Sequence, residues 1–194
     1  KSITAASATA ALRLDGSAGA VVLPAQFSIS TSNPNGAIIN EAGDNEIGSG
    51  VTLTGGAGST RITSLAGTLT IQGNVAPNAT GRSLDLRGAG NGIINGNVLN
   101  GSGANTLGTV SKNEAGTWTL NGSNAFTGPT TVSAGKLVIN GTHTSGAVTV
   151  AAAATLAGRG TLSAAATVSG TLAPGDGVGT MTVNNPLSFG SASK

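Results

Sequence analysis

The feature that most limits what this chain can fold into is a double period. In "GTWTLNGSNAFTGPTTVSAGKLVINGT", residues 116–142, Trp118 and Leu120 point to one side of an extended strand, with Thr117 and Thr119 on the other. Nineteen residues after Trp118 the pattern returns, with Leu137 and Ile139 inward and Val138 and Asn140 outward. The same alternation marks "GVTLTG" (Val51, Leu53), "GTLTIQG" (Leu69, Ile71), "RSLDLRG" (Leu84, Leu86), "GAVTVA" (Val148, Val150) and "GTMTVNN" (Met181, Val183), each closed by Gly or Asn. No segment sustains the i, i+3, i+4, i+7 spacing of an amphipathic helix. The four alanines 151–154 lack caps and flanking periodicity, so they read as a tight corner.

Two all-β architectures compete for this pattern. Six Asn-Gly pairs, at Asn35, Asn91, Asn95, Asn100, Asn121 and Asn140, are hairpin signals and favour an antiparallel sandwich. Internal repetition favours a solenoid. "GAVTVAAAATLAGRGTL" overlays "AATVSGTLAPGDGVGTMTV" with Val148 on Val168, Leu156 on Leu172 and Leu162 on Met181, at offsets of 20, 16 and 19. Unequal offsets with strands kept in step describe coils whose insertions fall in corners. In that setting the Asn-Gly pairs supply left-handed backbone at corners. Composition agrees with a thin stacked core: 32 glycines, 38% hydrophobic, only 8% charged and 2% aromatic. The reading is an all-β parallel β-helix (β-solenoid), a single domain over 1–194 with roughly nine or ten coils of about 20 residues. Its ends need covering, by "SITAASATAALRL" or by further chain.

Composition also excludes function classes. With no cysteine there is neither a disulfide framework nor a thiolate metal site. The nine cations are scattered singly, which argues against nucleic acid as a partner. No apolar run reaches the length of a membrane span, and the N-terminal stretch has no signal-peptide core. The chain therefore reads as processed or as a piece of a longer protein.

Residues 112–141, "KNEAGTWTLNGSNAFTGPTTVSAGKLVING", resemble the passenger-associated transport repeat, also called the autotransporter-associated β-strand repeat. Thr117, Leu120, Gly122, Asn124, Thr127, Gly128, Thr130, Thr131, Val132, Gly135 and Leu137 fall on its pattern, and Trp118 stands where the family takes Leu or Trp. Ala115, Ala125, Phe126 and Pro129 depart mildly from it. "TLAPG", Thr171 to Gly175, looks like the coils that follow this repeat. The resemblance implies a right-handed β-helical passenger of a Gram-negative type V secreted protein, secreted or at the cell surface. Its translocator barrel would lie outside this segment.

Chemistry finds little purchase in the sequence. The acidic cluster Glu41, Asp44 and Glu46 reads as a polar loop over 40–48 with an Asp44-Asn45 turn, and secondarily as a weak cation site. His143, the single histidine, reads as an exposed loop tip in "NGTHTSG". The glycines of "GAGNGIING" and "GDGVGT" precede no helix and are turn glycines, not phosphate loops. Thr-x-Thr triplets at 52–54, 68–70, 117–119 and 180–182 are too irregularly spaced for an ice-binding row. Trp118 and Phe126 read as fillers of adjacent coil interiors. No catalytic residue, cofactor or metal ligand is assigned.

The expected function is thus a non-catalytic structural and secretory segment, a stalk that folds during or after export. Trp118, Leu120, Gly122, Asn124, Phe126, Gly128, Gly135 and Leu137 act in it through packing and corner geometry. Two alternatives stay open. One is a surface adhesin or glycan-binding module using an outer Thr/Asn face or the stretch 31–48. The other is a polysaccharide-active enzyme dependent on Glu41, Asp44 and Glu46. Self-association is a further expected partnership.

Overall fold

The period-two segments become strands of two to seven residues, and every strand pairing among the described residues is parallel. A computed structural model describes residues 2–5, 10–31, 37–55 and 58–191. The Asn35-Gly36 pair, residues 32–36 of the 31–48 stretch and part of the N-terminal stretch lie outside them.

The strands assemble a three-faced parallel β-solenoid. The second face is an unbroken nine-stranded sheet from Leu12–Asp15 to Leu187–Phe189. The third face has eight strands, from Val22–Leu23 to Thr171–Pro174. The first face is two four-stranded sheets, one ending at Val75–Pro77 and one beginning at Asn124–Ala125. Two isolated bridges, Val75 to Val98 and Leu99 to Ala125, carry the chain between them. Eight turns contribute to all three faces and a ninth only to two, fewer than the nine or ten expected. The shortfall comes from coil length. On the third face Ile47, Ile71, Ile94 and Leu120 stack at spacings of 24, 23 and 26 residues. Beyond Leu120 the spacings contract to 19 and 16.

Alternation places one apolar ladder residue over the next. Trp118 stacks on Leu137, Leu120 on Ile139 and Leu156 on Leu172, as their spacing implies. The other two overlays slip by one pleat, because Val148 pairs with Ala166 and Leu162 with Val183. A two-residue slip keeps the same side chains inward, so periodicity alone does not distinguish the two registers. Most inward Leu, Ile and Val are fully buried, each contributing roughly 1.5–3 kcal/mol. The corner at Ala151–Ala154 is a turn closed by Ala154 N donating to Ala151 O at 2.9 Å.

Between the faces, glycine columns replace the expected left-handed Asn-Gly corners. None of the described Asn-Gly pairs has a positive φ at either residue. The glycines serve close approach instead. Between the third and first faces Gly73, Gly96, Gly122, Gly141 and Gly160 each press on the glycine one turn below, and a Cβ on any of them would enter that backbone. Gly43, Gly67, Gly90, Gly116 and Gly135 form a second column, and Gly81, Gly108, Gly128 and Gly146 a third. Within the second column Gly135 also needs its left-handed φ of 67°.

Gly122→Ala is expected to lower the unfolding free energy by about 1–3 kcal/mol through overpacking, whereas outward Thr119→Ala should change it by less than about 0.5 kcal/mol. Denaturant melts of the two variants test this difference.

Candidate functional site

The eight residues singled out in sequence lie on one stretch where the turns shorten and the first face restarts. Trp118 is fully buried, and its indole extends over Gly92 of the preceding turn. A Cβ at Gly92 would lie 2.5 Å from Cδ2 of the ring, so the large residue and the missing one are a matched pair. The indole N–H, which must find a partner when buried, donates to Arg87 O at 3.0 Å. Leu120 lies between Ile94 and Ile139, and Leu137 between Trp118 and Leu156. Gly122, Gly128 and Gly135 each occupy a corner column.

Asn124 does what a strand would otherwise do. The first face is broken at Val98, and Asn124 Oδ1 accepts the Val98 N–H at 3.0 Å while its amide donates to Gly122 O at 2.9 Å. The side chain is fully buried. Phe126, also buried, meets the His143 ring edge-on with centroids 5.3 Å apart.

His143 itself corrects the sequence reading of an exposed loop tip. It is the inward centre of the strand Thr142–Thr144, stacked between Asn124 and Leu162 and wholly shielded. The Thr-His-Thr alternation carries that signal, with both threonines outward. Nε2 is 3.0 Å from Thr130 Oγ1, and Nδ1 has no hydrogen-bond partner. Burial without a second partner disfavours the charged ring and pushes its pKa down to about 4.

Lys112 was missed altogether. It occupies an inward position on the strand Leu107–Lys112, with no exposed surface. Its ammonium donates to Asn113 O at 2.8 Å, Glu114 O at 2.7 Å and Ala134 O at 3.1 Å, which uses all three N–H groups. Burial lowers its pKa to about 8 against the opposing charges of Glu114 and Asp85. Glu114, at a φ of 65°, aims its carbonyl at the ammonium while its carboxylate accepts the Gly88 N–H at 2.9 Å. Outside this corner, Asp85 accepts from Asn113 at 2.6 Å and from Arg87 at 2.5 Å. Arg87 in turn reaches Glu114 at 3.3 Å, and the carboxylates beside it raise its pKa.

The acidic cluster is not a polar loop. Residues 38–47 form two strands, Ile38–Ala42 and Asn45–Ile47, around one corner. Asn45 is buried, and its amide binds Asn40 Oδ1 and Ala42 O at 2.5 and 2.8 Å. Glu41 pairs with Arg13, Asp44 accepts the Thr68 N–H at 2.8 Å, and Glu46 accepts from Gln72 at 3.0 Å. Each carboxylate thus answers to a different partner. Among the described residues no group of three His, Cys, Asp or Glu side chains is placed to hold a metal.

The family model of the passenger-associated-transport-repeat matches residues 110–139, two residues upstream of the stretch whose pattern resembles it. No curated protein and no solved structure matches the chain. The matched residues run from Val110 on the second face, through Trp118, Asn124 and Phe126, to Ile139 on the third.

The buried histidine makes a pH prediction. In the unfolded chain His143 takes its proton near 6.5, in the folded chain only near 4. Between these values the unfolded state binds more protons, so this group's contribution falls as pH falls from 6.5 to 4, by up to about 3 kcal/mol. Urea midpoints measured from pH 7 to 5 should drop in the parent protein and drop less in His143→Gln.

Proposed function

We propose that the chain is a segment of a secreted or surface passenger of Gram-negative type, that it serves as a non-catalytic stalk, and that residues 110–139, which match the transport repeat, seed its folding during export. The observation that carries this reading is that the polar groups buried by that stretch are satisfied within it or on the chain just before it, at Arg87 and Val98. Its buried indole, lysine and asparagine are all hydrogen-bonded by its own or adjacent turns. A chain emerging unfolded can therefore order this turn with little help from distant residues. It then presents a complete edge of backbone N–H and C=O groups on which the next turn pairs.

The composition suits the same route. Low charge, no cysteine and turns of 16 to 26 residues let structure form locally and grow by addition. The required partner is an outer-membrane translocator barrel outside the segment.

Trp118→Ala should destabilise the segment by about 3–5 kcal/mol and slow its arrival at the cell surface, and Gly135→Val should do likewise. Pulse-labelled cells shaved with protease report the arrival time. Parental kinetics in both variants, despite lowered melting midpoints, would refute the seeding role.

A further inference from the structure

One row of polar side chains on the outside of the third face was not anticipated from the sequence. Glu46, Gln72, Asn95, Asn121 and Asn140 come from five successive turns and bond one to the next at 3.0, 2.7, 2.7 and 2.9 Å. The carboxylate fixes the direction of the whole row, since it can only accept. Gln72 must turn its amide N–H to Glu46, which leaves its oxygen for Asn95, and the same choice passes upward. At the head, Asn140 Oδ1 is left as an acceptor without a partner among the described residues.

That head opens on a surface cavity of about 430 Å³ lined by Thr119, Val138, Asn140, Arg159, Gly175 and Asp176. Its wall is the turn after Thr171–Pro174, which is anchored three ways. Gly175 N donates to Gly158 O at 2.7 Å, Lys136 pairs with Asp176 at 2.9 Å, and Arg159 Nε donates to Gly175 O at 3.3 Å. The floor is Val138, which points outward as its alternation requires but is 3% exposed.

We infer that this cavity is a binding site for a neutral saccharide of one or two sugar units. Its rim offers an amide oxygen as acceptor, the guanidinium of Arg159 as donor, and the Asp176 carboxylate and Thr119 hydroxyl beside them. Adjacent sugar hydroxyls both donate and accept, and so match such a mixed rim. Asp176 is already paired with Lys136 at 2.9 Å, so the rim has no cluster of like charges to hold an ionic ligand. The volume falls within the range of small-ligand pockets. The site goes beyond the stalk role and does not depend on it. It lies on an outer Thr/Asn face, one of the places the sequence suggested, and away from the 31–48 stretch and the carboxylates around Glu41.

Saturation-transfer NMR on the parent protein, with glucose, galactose, N-acetylglucosamine, maltose and lactose as probes, tests the inference. At least one should give a signal, and Asn140→Ala and Thr119→Val should each weaken its binding by roughly tenfold, the loss of about one hydrogen bond, at unchanged melting temperature. Glu46→Gln, four turns away along the row, should weaken it as well by releasing the direction of the row. Silence from all five sugars, parental binding in Asn140→Ala and Thr119→Val, or preference for glucuronate or glucosamine over the neutral sugars would overturn it.

Discussion

Close backbone contact at the corners is the constraint on which everything else in this solenoid rests. Flat faces can hold successive strands about 4.8 Å apart with any side chain, because side chains project in or out of the sheet. At a corner the chain rotates, and one Cβ vector swings along the axis into the turn below. Glycine removes the conflict, and three columns of it keep the turns in contact on every side. The apolar ladders then stack because the corners allow them to. Thin turns with small corners hold few large residues, which is why composition is so poor in aromatics.

The interior carries polar groups for a related reason. Each corner strands carbonyls and amides that no strand pairs, and buried polar groups must be satisfied. The chain answers with Asn40 and Asn45 in one turn, Lys112 in another and Asn124 where the first face is interrupted. These fixed points hold register, which apolar ladders do not, as the two-residue slips in the Val148 and Leu162 overlays illustrate. The stretch matched by the transport repeat gathers the greatest variety of such fixed points at the place where coil length shortens. A segment of that kind is suited to start a fold.

Much of the fold was legible, and the reason is physical. Alternation, repeat spacing and glycine-closed strands are local signals, and they were enough for a parallel solenoid and for the pairing of Trp118 with Leu137. What lay between turns was not legible. Asn-Gly pairs look alike whether the glycine supplies a left-handed turn or room for backbone, and only the neighbouring turn decides. His143 and Lys112 look polar and therefore exposed, although the alternation of Thr142, His143 and Thr144 already turned the ring inward. Coil number was overestimated because the short spacing of residues 118–172 was extended to a longer-coiled N-terminal half. The eight residues read from the repeat were found together because they are consecutive in two adjoining turns. The amide row from Glu46 to Asn140 was invisible because its members are 19 to 26 residues apart and bond only across turns.

The central claim is that the turn at 110–139 is the firmest part of the solenoid and the template for its neighbours. Hydrogen–deuterium exchange of the native protein, read peptide by peptide, measures local opening directly. The account predicts slowest exchange in peptides spanning 107–139, with protection declining in both directions along the axis. Uniform exchange along the solenoid, or slowest exchange in the turns before residue 75, would contradict it.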